Sequence, residues 1–134
     1  MSEAVDPPIN ALNAPFWEGA KTGRLVLPHC VTTGRAFWPP APISPYTTGA
    51  VTWREVAPEG WLRACVTYER VFQASFRPLV PYYIGLVEVQ AGPRLQAHLA
   101  GGAMPPAIGQ AVRIAFRSLI EGAHPVPVIL PAAN

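Results

Sequence analysis

The side chains that could do chemistry in this chain are few and far apart. There are two cysteines, Cys30 and Cys65, and three histidines, His29, His98 and His124. His29 precedes Cys30 directly, but neighbours on an extended chain point to opposite sides, so the pair is a poor chelate. The histidines make no HxxxH or HExxH spacing. Glu55, Glu69 and Glu88 fall on three different predicted strands and form no recognisable acid–base pair. A phosphate loop, a dinucleotide fingerprint and a nucleophile elbow are all missing. No base near Cys30 in the sequence would activate its thiol, so it reads as a small buried residue before it reads as a nucleophile. These residues argue against independent catalysis.

The elements that would position such groups are short strands and turns. The chain has 134 residues, with 17 Pro and 11 Gly, and half of its residues are hydrophobic. That mixture suits one domain rich in turns and with a single core. Charge is sparse, 13% of residues with a net of +2, and Arg54, Arg63, Arg70, Arg77, Arg94, Arg113 and Arg117 are scattered, so the clustered basic face of a polyanion binder is absent. No apolar run approaches the ~20 residues of a membrane span, and MSEAVDPPIN lacks the apolar stretch of a signal peptide. Two cysteines make no disulfide framework. The expected location is the cytoplasm.

Periodicity places the elements. Asn10 or Asn13 caps a helix over residues 14–22, with Pro15 in its first turn, Gly23 at its end, and Phe16, Trp17 and Ala20 on its apolar side. Strands are expected at 24–27, 49–56, 61–68, 82–89, 94–99, 111–117 and 125–130. In the fourth of these Ile84, Leu86 and Val87 are apolar on both phases, as in a central strand. In the third, Leu62, Ala64, Val66 and Tyr68 are read as inward and Arg63 and Thr67 as outward. Pro125 and Pro127 suggest that the last strand lies at an edge. Between strands, residues 71–81 form an unusually apolar loop with Phe72 and Phe76 around a polar centre, and such a loop is expected to cover something. The set describes a small all-β barrel preceded by a helix.

The stretch FWEGAKTGRLVLPHCVTTGRAFWPPAPISPYTTG, together with PYYIGLVEVQAGPRLQAHLAGG and IGQAVRIAF, resembles the DUF35 family of OB-fold proteins. The order and spacing of these motifs match over about residues 14–131. The resemblance implies an OB-fold barrel, 51–134, behind an N-terminal tail, 1–13, and a helix plus zinc-ribbon-like segment, 14–50. It also carries one departure. The family's four metal positions fall on Cys30, Thr33, Ser44 and Thr47, so three thiolates are replaced by hydroxyls, which are poor zinc ligands. The knuckle is therefore expected to be metal-free, with Gly34 and Gly49 keeping the turns after each former ligand pair.

What the resemblance implies about function is an accessory subunit that is not itself catalytic. It would bind or channel an acyl-CoA or other acyl thioester for a thiolase-like partner in condensation, acyl transfer or retro-aldol cleavage, as part of a hetero-oligomer. Coenzyme A thioester is the expected ligand, with no tightly bound cofactor, no zinc, no nucleic acid and no membrane. Expected ligand contacts are Phe72, Phe76 and Tyr82 on the apolar side, with Lys21, Arg35 and Arg77 nearest the phosphates. Phe37, Trp38, Pro39, Pro40 and Trp53 are expected to form the partner surface. The alternatives are an OB-fold nucleic-acid binder and an interaction module without a ligand.

Overall fold

The computed structural model describes residues 9–68, 82–99, 106–119 and 121–132. Helix α1 (Ala14–Lys21) is followed by β1 (Val26–Cys30), β2 (Val51–Glu55), β3 (Glu59–Tyr68), β4 (Tyr82–Val89), β5 (Arg94–Leu99), β6 (Ala111–Arg117) and β7 (Val126–Pro131). Strands β3 to β7 close into a barrel in the order β3-β4-β5-β7-β6, whereas β1 and β2 form a separate antiparallel ladder. The sequence boundary at residue 51 put β2 in the barrel. It pairs instead with β1, from Val26↔Glu55 to Cys30↔Val51, and so belongs to the N-terminal unit. No helix among the described residues is long and apolar enough to cross a membrane.

The barrel core follows strand alternation, with two informative exceptions. Val87 and Val89 of β4, Leu95 and Ala97 of β5, Val112 and Ile114 of β6 and Ile129 of β7 are buried together. In β3 the expected phase holds only at its start. Leu62 is fully buried, but Val66 is exposed and Cys65 packs partly against the core. The register against β4 shifts between Leu62 and Ala64. A bulge there inserts one residue, and a one-residue slip sends every later side chain to the other face. Composition could not reveal it, because Ala64, Cys65 and Val66 suit either face.

The second exception is β7. It lies between two neighbours, antiparallel to β6 over six residue pairs from Val112↔Pro131 to Arg117↔Val126, and parallel to β5 at His98↔Val128 and Leu99↔Ile129. The expected edge strand is the one that closes the barrel. Pro127 and Pro131 flank the short ladder to β5 without entering it, so their missing N–H groups break none of its pairs. Gly85 marks the tightest interior contact. A Cβ there would lie 2.5 Å from Ile129 Cδ1 and 2.8 Å from Leu62 Cδ1, so those two side chains fill the space that a larger residue would need.

Helix α1 is short and has Pro15 in its first turn, but the Asn13 side chain makes no cap bond to it. Asn13 Oδ1 accepts instead from the Asn10 N–H at 2.8 Å, and Asn10 Oδ1 accepts from the Leu12 and Asn13 N–H groups. Burial of Phe16, Gly19 and Ala20 is therefore what holds the helix in place.

Candidate functional site

Residues 30–49 fold into two turns with the same hydrogen-bond pattern. In the first, the Cys30 N–H donates to the Arg35 carbonyl at 2.8 Å and the Gly34 N–H to the Cys30 carbonyl at 2.8 Å. In the second, the Ser44 N–H donates to the Gly49 carbonyl at 2.8 Å and the Thr48 N–H to the Ser44 carbonyl at 2.9 Å. The Thr33 N–H points at Cys30 Sγ (3.5 Å), and the Thr47 N–H likewise reaches Ser44 Oγ (3.3 Å). The turns thus match position for position, Cys30 with Ser44 and Thr33 with Thr47. Gly34 matches Thr48, not Gly49 as the sequence suggested. Both backbones are left-handed there, with φ +74° at Gly34 and +59° at Thr48, a conformation that disfavours a β-branched residue.

The four side chains converge on one sulfur. Cys30 is fully buried and Ser44 is 1% exposed. Thr47 Oγ1 lies 3.3 Å from Cys30 Sγ and the Thr33 N–H 3.5 Å from it, and the Ser44 and Thr33 hydroxyls are close enough to lower the thiol. Each hydroxyl meanwhile accepts from the backbone: Ser44 Oγ from the Tyr46 N–H (3.0 Å), Thr47 Oγ1 from the Gly49 N–H (3.2 Å), and Thr33 Oγ1 from the Arg35 N–H (3.3 Å). A hydroxyl has one proton to give, and with its oxygen already accepting, that proton is free to point at the sulfur. Such donors favour the thiolate. The hydroxyls of Ser44, then Thr33 and Thr47, hold the Cys30 thiol down at about 6. His29 takes no part, because its Nδ1–H donates to the Leu27 carbonyl at 2.9 Å.

Phe16 ties this knuckle and the helix to the barrel. Its ring lies 4.7 Å from Trp17, 4.7 Å from Trp38 and 5.7 Å from Phe116 of β6. Two cavities open on either side of Trp38. One, of about 380 Å³, is lined by Phe16, Trp17, Trp38, Pro39, Leu86, Arg94, Leu95, Gln96 and Pro127, between helix and barrel wall. The other, of about 630 Å³, runs between the knuckle (His29, Gly34–Trp38, Pro45, Tyr46) and the β4–β5 turn (Ala91–Pro93). At its rim the Arg35 guanidinium stacks 4.0 Å above the Tyr46 ring, whose hydroxyl donates to the Ala36 carbonyl at 3.1 Å.

Comparison with known proteins now assigns the two units. Residues 17–43 match the family model of the ChsH2 rubredoxin-like zinc ribbon domain, and residues 53–117 that of the ChsH2 C-terminal OB-fold domain. A solved structure described as the Ltp2-ChsH2(DUF35) aldolase superposes with a TM-score of 0.81 at 29% identity, covering 95% of this chain and 99% of that one. The chain belongs to the DUF35 family. A DUF35 protein of unknown function from Sulfolobus solfataricus shares the fold, with a TM-score of 0.56, 17% identity and 78% of each chain covered. A probable enoyl-CoA hydratase alpha subunit from Thermomonospora curvata is 33% identical over 97 residues, 71% of this chain. This DUF35 chain spans only 30% of that relative's length.

The DUF35 zinc ribbon implies a metal, and the donors in this chain do not fit one. One thiol and three hydroxyls replace the thiolate or imidazole set that structural zinc requires. Those hydroxyls already accept from backbone N–H groups, and Thr47 Oγ1 also lies 3.3 Å from the sulfur. Among the described residues no three His, Cys, Asp or Glu side chains cluster at metal-binding distance.

The expected site residues have varied placements. Phe72, Phe76 and Arg77 lie outside the described residues, and Tyr82 opens β4 opposite Tyr68. Arg35 borders the larger cavity, whereas Lys21 pairs with Glu18 at 3.4 Å on the exposed helix and lines neither. Of the expected partner surface, Pro39 is exposed and Pro40 half-buried, whereas its aromatic members turn inward. Phe37 is 5% exposed, with its ring 6.4 Å from Tyr46, and Trp38 and Trp53 pack partly against the core. This segment is short of charge because it fills the joint between knuckle and barrel. The large apolar side chains it does expose are Val31, Ile43 and Tyr46 at the knuckle tip. Two features carried no sequence signal: the Arg35–Tyr46 stack, and the position of Arg94 and Gln96 beside the smaller cavity on a strand face that alternation assigned to solvent.

Proposed function

We propose that this chain is a non-catalytic accessory subunit that binds or channels an acyl-CoA or acyl thioester for a thiolase-like partner. The observation that carries the reading is the near-complete superposition on the Ltp2-ChsH2(DUF35) aldolase structure, which covers both units in one arrangement. The described chemistry is consistent with it. Apart from Cys30, enclosed by its own knuckle, the described residues offer no nucleophile paired with a base, so the reacting groups belong on the partner. The cavities on either side of Trp38 are walled by aromatic and aliphatic side chains with Arg35 at the rim of the larger one, a lining that suits an acyl–pantetheine chain and its phosphates. Phe72, Phe76, Arg77 and Tyr82 remain proposed contacts beside Arg35. Lys21, engaged with Glu18, is the weakest of the set.

The nucleic-acid alternative loses support on the barrel surface. Arg63 and Arg94 both reach Glu88, at 3.3 and 3.0 Å, and Arg24 reaches Glu55 at 2.9 Å. Arginines engaged in this way add little to a phosphate track.

Co-expression with a thiolase-like partner tests the reading. The pair is expected to co-purify, to raise the melting temperature of this chain by mass action, and to turn over an acyl-CoA that neither subunit turns over alone. Arg35→Ala and Phe76→Ala should weaken acyl-CoA binding to the complex, with the arginine effect fading in high salt. A monomer that turns over acyl-CoA unaided, or a complex blind to both substitutions, would overturn it.

A further inference from the structure

We propose that the knuckle of this chain is held by a hydrogen-bonded cage around the Cys30 sulfur in the place of a metal, and that its backbone retains a latent four-ligand metal site. The cage would hold the knuckle whether or not the chain serves as an accessory subunit. Its first support is the matched pair of turns. Each closes with the same two backbone bonds, at 2.8 and 2.8 Å in one and 2.8 and 2.9 Å in the other, and each directs the side chains of its first and fourth residues to a common centre. Two such turns facing each other present four side chains to one point, which is what a tetrahedral ion needs.

The second support is how completely the hydroxyls are used. Ser44, Thr33 and Thr47 each accept from a backbone N–H and still have a proton for the sulfur. The Thr33 N–H also points at the sulfur. A buried sulfur ringed by donors ties the two turns together as a metal would, through one shared acceptor. The cage is somewhat tighter than a metal site. Cys30 Sγ and Thr47 Oγ1 are 3.3 Å apart, whereas sulfurs about 2.3 Å from a shared zinc lie about 3.8 Å from one another. Replacing oxygen by the larger sulfur supplies that expansion at the same backbone positions.

The test uses the full-length chain. Wild type is expected to carry far less than one zinc per chain by elemental analysis and to melt at the same temperature with and without a strong chelator. The triple variant Thr33→Cys, Ser44→Cys and Thr47→Cys is expected to bind one zinc per chain, to lose thermal stability on chelation, and to give with Co(II) the intense visible bands and thiolate charge-transfer absorption of a tetrahedral thiolate site. Stoichiometric zinc in wild type overturns the cage. A triple variant that folds but takes up no metal, or gives the weak bands of octahedral cobalt, overturns the latent site. Should the triple variant not fold, Ser44→Ala and Thr47→Val in the wild-type background decide. Ser44→Ala removes a buried donor and should lower the melting temperature by about 3–8 °C. Thr47→Val removes the more exposed donor 3.3 Å from the sulfur and should lower it less, and an unchanged melting temperature in both rejects the proposal.

Discussion

The barrel and the knuckle solve the same problem, holding short irregular segments together, with opposite materials. The barrel closes on itself and fills its interior with Leu62, Val87, Val89, Val112, Ile114 and Ile129. Most of its polar side chains lie outside, among them Glu88 between Arg63 and Arg94. The knuckle is too thin to enclose an apolar core. It is held by directional bonds to one buried sulfur and by docking through Phe37 and Trp38 against Phe16 and the barrel. Small units without a core ordinarily rely on a metal or a disulfide. In the proposed cage their role falls to hydroxyls and to borrowed hydrophobic contact, so the knuckle should depend on the barrel more than the barrel depends on it.

The strongest way to break that relation is Phe16→Ala. Phe16 is 2% exposed and touches the knuckle, the helix and β6 at once. Its loss should destabilise the chain by about 3–5 kcal/mol. Urea unfolding followed by far-UV signal and by tryptophan fluorescence should split into two transitions, the knuckle's first. Coincident transitions would mean that the two units remain one cooperative body without it.

Gly85→Ala presses on the other side of the comparison. The added methyl enters the barrel interior against Ile129 and Leu62 and should destabilise by about 1–3 kcal/mol, since side-chain tips can yield somewhat. Hydrogen exchange at the Cys30 and Ser44 amides should then quicken only as far as global stability falls, because nothing in the knuckle has changed.

A smaller effect of opposite sign is expected at Thr48. Its left-handed backbone strains a β-branched residue, and the matching position in the other turn is Gly34. Thr48→Gly relieves that strain but adds freedom to the unfolded chain, for a net gain of roughly 0.5–1 kcal/mol. A fall in melting temperature would show that the Thr48 side chain contributes more than its backbone loses.

The response to pH should separate the units with the least disturbance. The Cys30 thiol is lowered to about 6 by its hydroxyl neighbours. Its stabilising share is therefore fully present above the ordinary thiol range near 8.5 and is lost as pH falls through about 6. Burial pushes the Cys65 thiol of β3 upward, the reverse sense, so a Cys65→Ser background isolates the knuckle. On the barrel, burial lowers His98, and Arg94 with Arg63 lowers Glu88. Both contribute stability above their ordinary values, about 6.5 and 4.3, and lose it on acidification below them. Between pH 9 and 7 the melting temperature should fall slightly in the Cys65→Ser protein and stay flat once Cys30→Ser is added.

Much of this architecture was written in the order of the residues. Alternation located β4, β5 and β6 with their observed limits, because in each the pattern of apolar side chains agrees with a single face or a fully covered strand. The DUF35 motifs located the knuckle, and the three hydroxyls at its metal positions were visible as letters. What sequence could not supply is anything that depends on which segment lies opposite. The bulge after Leu62 turns Cys65 inward and Val66 outward, yet both residues fit either face. Pro127 belongs to a closing strand because β5 and β6 both reach it, a fact of closure rather than of composition. Phe37 and Trp38 look like a docking surface in a line of text and become the joint between units once Phe16 arrives from the helix. Thr33, Ser44 and Thr47 likewise read as three lost ligands. Only the folding of two matched turns onto one sulfur makes them a replacement, because a hydrogen bond exists only where donor and acceptor are brought within reach.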